Sequence, residues 1–373
     1  MKQMLTFFKN EIVLTISFVL ASASAFFVKP DLLYLQYIDY RTLSILLSLM
    51  LTMAGFQRLQ VFRQIGEIFV SKTSSVRSIV FVLIALNFFF SMLITNDVAL
   101  LTFVPFSVIT LSLVKRKDLF CIVIVLETIA ANLGSMLTPL GNPQNLYLYS
   151  LADMSLISFV QLMLPYSAVS FVLLILFNYF FIKAEKVLFE RTARSNYKRT
   201  KKEKGLLAIY LLTFLLSLLT VMKVIFYPIG LVCVLLLVMI FDRKVLRKPD
   251  YSLLATFVFL FIFIGNIKRI PAIASVIDMA IQDHELLVAV LLSQVISNVP
   301  AAILCSGFTD EISKLIIGTN LGGLGTLIAS MASLISFKQY SYTENADKKR
   351  YLLVFTGLNL LFLAILLLLT KLF

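Results

Sequence analysis

Four short polar segments interrupt apolar stretches of this chain, and their side chains are of the types that bind small ions. Two are compact turns, Thr95-Asn96-Asp97 and Ser297-Asn298-Val299-Pro300, and two are longer, at 138–145 (TPLGNPQN) and 318–333 (GTNLGGLGTLIASMAS). Side-chain oxygens and the free carbonyl groups of an interrupted helix bind cations, whereas free N–H groups at helix starts bind anions. No Lys or Arg occurs in the four segments. An anion there would therefore rest on backbone amides and neutral side chains.

The candidate residues fall into two groups by chemistry. Those predicted to bind a substrate are Thr95, Asn96, Asn142, Pro143, Ser297, Asn298, Pro300, Thr326 and Ser330. Those predicted to bind a coupling cation are Asp97, Glu127, Asn132, Thr138, Asn145, Thr319 and Asn320. A sodium ion would be held by Asn96, Asp97, Thr138 and Asn142. The alternative for a single Asn, Ser or Thr is hydrogen bonding between helices, but repetition at matched positions favours a binding site.

Two acids stand apart from the neutral residues. Asp97 lies at a turn and Glu127 lies inside an apolar stretch. An ionised acid at the centre of a membrane costs about 2.5–3.5 kcal/mol, so each is expected to carry a proton or to face a cation. For Glu127 an equally good interpretation is a structural acid that caps a neighbouring helix end. The sequence has no Ser-His-Asp triad, P-loop or zinc site, so neither enzymatic activity nor a bound cofactor is predicted.

The composition indicates which elements must position these residues. Of the 373 residues, 60% are hydrophobic and 14% are charged, against about 45–50% and about 25% in a soluble domain. The mean hydropathy of +0.96 excludes a soluble globular enzyme. The apolar stretches are long enough to cross a bilayer, which needs about 20 residues per helix. We therefore predict an all-α polytopic membrane protein.

The predicted helices and segments follow from the apolar stretches. Candidate helices lie at 11–28, 42–56, 78–94, 98–114, 119–137, 156–182, 205–222, 227–241, 250–267, 286–296, 300–308, 311–328 and 351–370. The first half spans 1–182, a basic linker spans 183–204, and the second half spans 205–373. Re-entrant hairpins are predicted with tips at 94–98 and 297–300, and broken helices at 138–145 and 318–333. Such interruptions at membrane depth must be buried in protein or line a cavity.

The distribution of basic residues orients the chain. If 78–114 and 286–308 each return to the side they leave, 26 of the 33 Lys and Arg residues fall on one side. That side is predicted to be cytoplasmic, so the N-terminus and the basic loops face the cytoplasm of a bacterial inner membrane. The linker at 183–204 is expected to be solvated, with lipid head groups as the alternative contact. Nucleic acid is not an expected partner.

The two halves share three landmarks in the same order. DYRTLSILLSLML from Asp39 matches DYSLLATFVFLFI from Asp250, the two turns match, and NLGSMLTPLGNPQNL from Asn132 matches NLGGLGTLIASMASL from Asn320 without a gap. By the charge distribution the matched helices start on opposite sides, so the repeats are predicted to be inverted. Inverted repeats with interrupted helices are typical of secondary transporters, which bind substrate near the midplane. Asn96 and Asn298 are expected to face one another across a common cavity.

These segments resemble a known superfamily. ITNDVALLTFVPF, ETIAANLGSMLTPLGNPQNL, SQVISNVPAAIL and GTNLGGLGTLIAS are similar to motifs of the ion-transporter superfamily. It contains the arsenite permease ArsB, NhaD-type sodium/proton antiporters, citrate transporters and divalent anion/sodium symporters, and the resemblance is strongest to small YbiR-type bacterial anion permeases. The resemblance implies elevator-like movement of a transport domain against a scaffold. It also implies that each tip contacts substrate and sodium, although the symporter motif Ser-Asn-Thr lacks its third residue here.

We therefore expect a secondary active transporter of a small inorganic or organic anion, coupled to sodium or protons. Its expected partners are membrane lipid and the anion, with a homodimer as the candidate assembly. One alternative is a sodium/proton antiporter in which Asp97 and Glu127 exchange the ions. A second alternative is an arsenite-type metalloid efflux permease.

Overall fold

The chain folds into helices throughout the part that the structure, a computed structural model, describes, which is residues 11–187 and 199–372. Extended backbone pairs there at one isolated bridge, between Ser75 and Lys186. In chain order the helices are α1 (Ile12–Phe27), α2 (Leu33–Gln36), α3 (Tyr40–Arg58), α4 (Val61–Val70), α5 (Val76–Phe90), α6 (Asn96–Leu113), α7 (Phe120–Ser135), α8 (Pro143–Leu151), α9 (Leu156–Phe181), α10 (Lys201–Val221), α11 (Tyr227–Phe241), α12 (Tyr251–Lys268), α13 (Pro271–Ile281), α14 (Glu285–Ile296), α15 (Asn298–Cys305), α16 (Ile312–Leu321), α17 (Met331–Ser341) and α18 (Lys348–Leu369).

The lengths and surfaces of these helices are those of a membrane protein. Among the described residues, six helical segments are long and apolar enough to cross a bilayer, or seven if α3 and α4, bent by 55°, form one span. Large apolar side chains point outward from the long helices. Phe180 on α9 and Leu353 on α18, for example, are 72% and 76% exposed. Apolar surface of this extent fits contact with lipid. The chain is a polytopic membrane protein.

Most predicted helices lie within a few residues of their expected bounds, and the differences have local causes. The basic linker predicted to reach 204 ends at Thr200, because Thr200 and Glu203 form a capping box that starts α10. Residues 188–198 of that linker lie outside the described part of the chain. The helix predicted at 311–328 ends at Leu321. The short helices α4, α8, α13 and α17 were not predicted as separate elements.

The two halves exchange one helix each. The first half contains α1 to α9, and the second half, which begins at 205 within α10, contains α11 to α18 in matching order. Helix α1 packs along α12, and α11 packs along α3. One inter-half contact is the hydrogen bond from Asn266 Nδ2 to Ser24 Oγ, 3.0 Å long. Each half is therefore completed by a helix from the other.

The core surrounds α7, which is buried along most of its length. Helices α5, α6 and α17 pack against it. The matching helix of the second half, α16, packs against α14 and α15. The halves meet here as well, because α17 packs on α6 and α8 packs on α15.

Candidate ion-binding site at the helix interruptions

The two predicted turns have the same unusual backbone conformation. Thr95, between α5 and α6, has φ +48° and ψ 145°, and Ser297, between α14 and α15, has φ +74° and ψ 154°. Residues other than glycine rarely adopt positive φ, and when they do the site is often functional. Each turn places a new helix start, at Asn96 or Asn298, inside the protein.

The two interruptions also match, although their bounds differ from those predicted. Helix α7 ends at Ser135 and α8 begins after Asn142, whereas α16 ends at Leu321 and α17 begins after Ser330. Asn142 and Ser330 have nearly equal backbone angles, with φ −146° and −142°. Residues 318–321 form the last turn of α16 and are not part of the interruption. The Thr319 and Asn320 side chains donate to carbonyl groups one turn earlier in that helix.

In each half a threonine of the interruption forms a hydrogen bond with the chain just before the turn. The Thr138 hydroxyl donates to the Met92 carbonyl, and the Thr326 hydroxyl donates to the Gln294 carbonyl over 3.0 Å. Met92 and Gln294 each lie three residues before the turn residue with positive φ. Thr138 and Thr326 therefore use their hydroxyls to hold the fold together. Thr326 is exposed, so it lies away from the buried network described next.

The asparagines of the two Asn-Leu-Gly segments, Asn132 and Asn320, each form hydrogen bonds with the other half of the chain. Asn132 accepts from Ser330 Oγ at 3.1 Å and donates to Ser333 Oγ at 3.4 Å. Asn320 accepts from Asn142 Nδ2 at 3.5 Å and donates to Asn145 Oδ1 at 2.6 Å. In the gapless alignment of the halves, Ser330 matches Asn142 and Ser333 matches Asn145. Each asparagine therefore contacts the start of the half-helix that follows the interruption in the other half. This half-helix is α17 for Asn132 and α8 for Asn320.

The turns join this network through neighbouring carbonyl and amide groups. The Asn96 backbone N–H donates to Gly141 O at 3.1 Å, and its side chain donates to Asn132 Oδ1 at 2.9 Å. In the second half Ser297 Oγ donates to Ala329 O at 3.5 Å. Gly141 and Ala329 are matched positions, each two residues before the first residue of the helix that follows the interruption, α8 or α17.

The helices that begin in the interior have no side-chain caps, although good capping residues precede them. At six exposed or half-buried starts a side chain accepts a bond from the first turn, at Asp39, Ser75, Ser155, Thr200, Asp250 and Asp347, whereas Glu11, Gln60, His284 and Glu311 precede helices without capping them. Good capping residues also precede the four interior helices, Thr95, Asn142, Ser297 and Ser330, yet none of them caps its helix. Three first-turn N–H groups already donate, those of Asn96, Asp97 and Ser333, and Pro143 and Pro300 have no N–H to offer. The N–H groups that remain free, and the positive end of each helix dipole, are available to an anion.

A cavity of about 200 Å³ lies beside one turn and one interruption. Thr95, Asp97, Asn142 and Pro143 line it, together with α3 and two residues of α17. The buried oxygens Asp97 Oδ1 and Asn142 Oδ1 have no hydrogen-bond partner among the described residues. Asn96 and Asn298 are not among the residues that line this cavity. Their meeting across a common cavity stays a prediction.

The cavity contains a charged residue that sequence reasoning did not select. Lys248 and Asp250, from the loop between α11 and α12, line the cavity with Asp97. A second unselected residue is Gln144, whose buried amide nitrogen has no acceptor among the described residues. Gln144 lies in the first turn of α8, in the predicted segment TPLGNPQN, so its position could have been noticed. Lys248 could not, because only the tertiary fold brings it near Asp97.

The remaining predicted residues are spread around the network. Pro300 is buried in the first turn of α15. Asn145 also donates to the Ser135 and Thr138 carbonyls at 3.3 Å. Glu127 is fully buried in α7 and does not line the cavity. Within residues 11–187 and 199–372, no group of three or more His, Cys, Asp or Glu residues could hold a metal ion, so a cation here would rely on neutral oxygens and Asp97.

Comparison with known proteins agrees with this architecture. The sequence model of a family described as "Citrate transporter" matches residues 5–314. An uncharacterized transporter of Methanocaldococcus jannaschii is 34% identical over 294 residues, covering 78% of each chain. The inner membrane protein YbiR of Escherichia coli K12 is 28% identical over 305 residues, covering 81% of this chain and 80% of YbiR. The family and the first relative are transporters and not enzymes, as expected. The chain belongs to the citrate transporter family and is a multi-pass membrane transporter.

Proposed function

We propose that this protein is a secondary active transporter that moves a small inorganic or organic anion across the bacterial inner membrane, coupled to sodium or protons. The observation that carries the proposal is the set of four uncapped helix starts around the crossing asparagines. Helix N-termini bind anions through their free N–H groups and dipoles. This arrangement can hold an anion without basic residues at the binding point.

The coupling cation binds at Asp97 and Asn142 in this proposal. Their unpartnered oxygens line the same cavity, and such buried oxygens need a donor or a cation. A positive charge there also removes the repulsion between Asp97 and an incoming anion. Cation and anion then bind together, which is the requirement for symport.

Lys248 attracts the anion to this cavity. It comes from the loop with Arg243, Lys244 and Arg247, which the positive-inside rule predicts to be cytoplasmic. In this proposal the cavity is reached from the cytoplasm, which is an inward-facing state. A basic side chain at a cavity entrance raises the local concentration of anions.

Inverted repeats and an elevator-like movement complete the proposal. The reciprocal contacts of Asn132 and Asn320 support a two-fold relation between the halves. The cavity lies between α3 and the turn and interruption of the first half. Helix α3, packed with α10 and α11, forms part of the scaffold, and the interrupted helices form the moving domain.

A sodium/proton antiporter is the second candidate, and the unpartnered oxygen of Asp97 favours it. Asp97 alone could then exchange the two cations without any anion. Stabilisation of the folded protein by ligands separates the two candidates, because a ligand that binds only the folded state raises its melting temperature.

The test measures the melting temperature of the purified protein with a panel of anions, in sodium chloride or choline chloride of equal ionic strength. Citrate heads the panel because the family description names it, followed by other carboxylates and inorganic oxyanions. We expect one class of anion to raise the melting temperature, and more so with sodium or at lower pH. Stabilisation by sodium alone would support the antiporter instead, and no response to any anion would contradict the proposal.

A further inference from the structure

A second buried polar cluster lies outside the anion site. Glu127 is on α7 and fully buried, and its Oε1 accepts from two residues on neighbouring helices. Asn87 Nδ2 on α5 donates to it at 3.1 Å, and the Ser107 hydroxyl on α6 also donates to it. The carboxyl group thus links α7 to α5 and α6, the two arms of the first hairpin.

The hydrogen bonding of this cluster is incomplete in a specific way. Glu127 Oε2 and Asn87 Oδ1 are both buried, and neither has a donor within reach among the described residues. Both atoms are acceptors when Glu127 is ionised. Glu127 and Asn87 already share one hydrogen bond. A single proton placed between Glu127 Oε2 and Asn87 Oδ1 would satisfy both of the remaining acceptors.

We propose that Glu127 and Asn87 form a proton-binding site. The Glu127 carboxyl carries the proton on Oε2 and donates it to Asn87 Oδ1, while Asn87 Nδ2 donates to Glu127 Oε1. The acid and the amide then make a cyclic pair with both of their hydrogen bonds satisfied. The proposal does not depend on the identity of the transported anion.

The surroundings favour a proton over an ion pair. Neither a Lys nor an Arg forms an ion pair with Glu127 within the described ranges. The titratable group that faces it from α18 is the Tyr351 phenol, which is hydrogen-bonded to Ser336. On α6 the nearest acid, Asp97, is ten residues from Ser107, about 15 Å along the helix. An ionised Glu127 would thus have no compensating positive charge.

The site belongs to the first half alone. Ala289 and Leu315 occupy the positions in α14 and α16 that match Asn87 and Glu127. Loss of the proton would leave a buried, uncompensated charge between α7 and the hairpin arms, so deprotonation would loosen the first hairpin and not the second. The site therefore links the packing of one hairpin to pH.

The test compares Glu127→Gln with Glu127→Leu in the purified full-length protein. In Glu127→Gln the amide nitrogen replaces the protonated oxygen and can donate to Asn87 Oδ1. We expect it to melt within a few degrees of wild type, whereas Glu127→Leu melts clearly lower. We also expect the melting temperature of wild type to fall at alkaline pH more steeply than that of Glu127→Gln.

Infrared spectroscopy provides the direct readout. Wild type at neutral pH should show the carbonyl band of a protonated carboxylic acid, and Glu127→Gln should lose the Glu127 component of that band while Asp97→Asn keeps it. An unchanged band in Glu127→Gln would overturn the proposal. A Glu127→Gln protein that fails to fold, or is as unstable as Glu127→Leu, would also overturn the proposal. The amide of Gln replaces a protonated carboxyl group at little cost, so a large loss of stability would mean that the native Glu127 is ionised.

Discussion

Asn132 and Asn320 make the same pair of contacts in opposite directions across the molecule. Each accepts from the residue that precedes a half-helix of the other half, and each donates to the residue three positions later. Two hairpins and two interrupted helices are therefore cross-linked at one point. Movement of one hairpin against the scaffold must carry the other, so these elements are expected to move as one body.

The crossing bonds should contribute measurable and similar stability in the two directions. Ser330→Ala removes its bond to Asn132. Asn142→Ala removes its bond to Asn320 and also the bond from Asn142 Nδ2 to Ser135 Oγ, 2.7 Å long, so only the coupling energy isolates the crossing bond, worth about 0.5–1.5 kcal/mol. Double-mutant cycles of Asn132 with Ser330 and of Asn320 with Asn142, measured by denaturant unfolding, should give coupling energies of this size. Additive effects in both cycles would show that the asparagines do not hold the halves together.

The two fastening threonines should differ in importance because their burial differs. Thr138→Val and Thr326→Val each remove one hydroxyl and keep the side-chain shape. Thr138 is half-buried and Thr326 is exposed, so water can replace the lost bond only at Thr326. We expect about 1 kcal/mol of destabilisation for Thr138→Val and less than half of that for Thr326→Val in the same unfolding assay. A larger effect at Thr326 would contradict this assignment.

Asp97→Asn should separate substrate binding from coupling. The amide keeps the shape of the side chain and removes both the negative charge and the titration. In proteoliposomes we expect exchange of substrate at equal concentrations to survive, while accumulation driven by a sodium or proton gradient is lost. If the variant still accumulates substrate with the same ion dependence as wild type, Asp97 is a structural acid. Coupling must then lie with the neutral oxygens.

Lys248→Gln should weaken anion uptake, with Lys244→Gln as the matched control. Both lysines are exposed in the same loop, but Lys248 lines the cavity and Lys244 does not. One exposed charge contributes up to about 1 kcal/mol, so we expect KM to rise by about two- to fivefold. The effect should shrink at high salt because the charge is screened. If KM changes equally in the two variants, Lys248 acts only as one of several surface charges.

The orientation can be checked by labelling cysteines in a background free of Cys121, Cys233 and Cys305. Lys202→Cys lies on the side predicted to be cytoplasmic, and Val224→Cys, which is 67% exposed in wild type, lies on the opposite side. In intact cells an impermeant thiol reagent should label only the Val224 variant. The reverse pattern would invert the topology and move the Lys248 entrance to the outside.

Much of the local architecture was predictable from the sequence because polar residues inside apolar stretches are costly and therefore conspicuous. The turns at Thr95 and Ser297 and the interruptions before Pro143 and Met331 were recognisable for that reason. The gapless match of the Asn-Leu-Gly segments also predicted which positions correspond, and the crossing bonds use those positions.

Other features depend on packing and were not predictable. Neither Asn96 nor Asn298 lines the cavity beside Asp97, because packing decides which side chains reach a cavity, and the Asn96 amide instead donates to Asn132. Lys248 is distant in sequence from Asp97 and shares no motif with it. The half-helices α8 and α17 are short, and nothing in their composition separates them from the interruptions that they follow.

The exchange of helices between the halves has a consequence for biosynthesis. Helix α1 is made well before its packing partner α12, which follows only after the rest of the first half and the linker. Until α12 is made, α1 lies in lipid without Asn266. The Ser24 hydroxyl is then bonded only to the backbone of its own helix, at Ala21 O. A ribosome that stalls before α12 would leave an unfinished scaffold, so the first half alone is expected to be a target for membrane quality-control proteases.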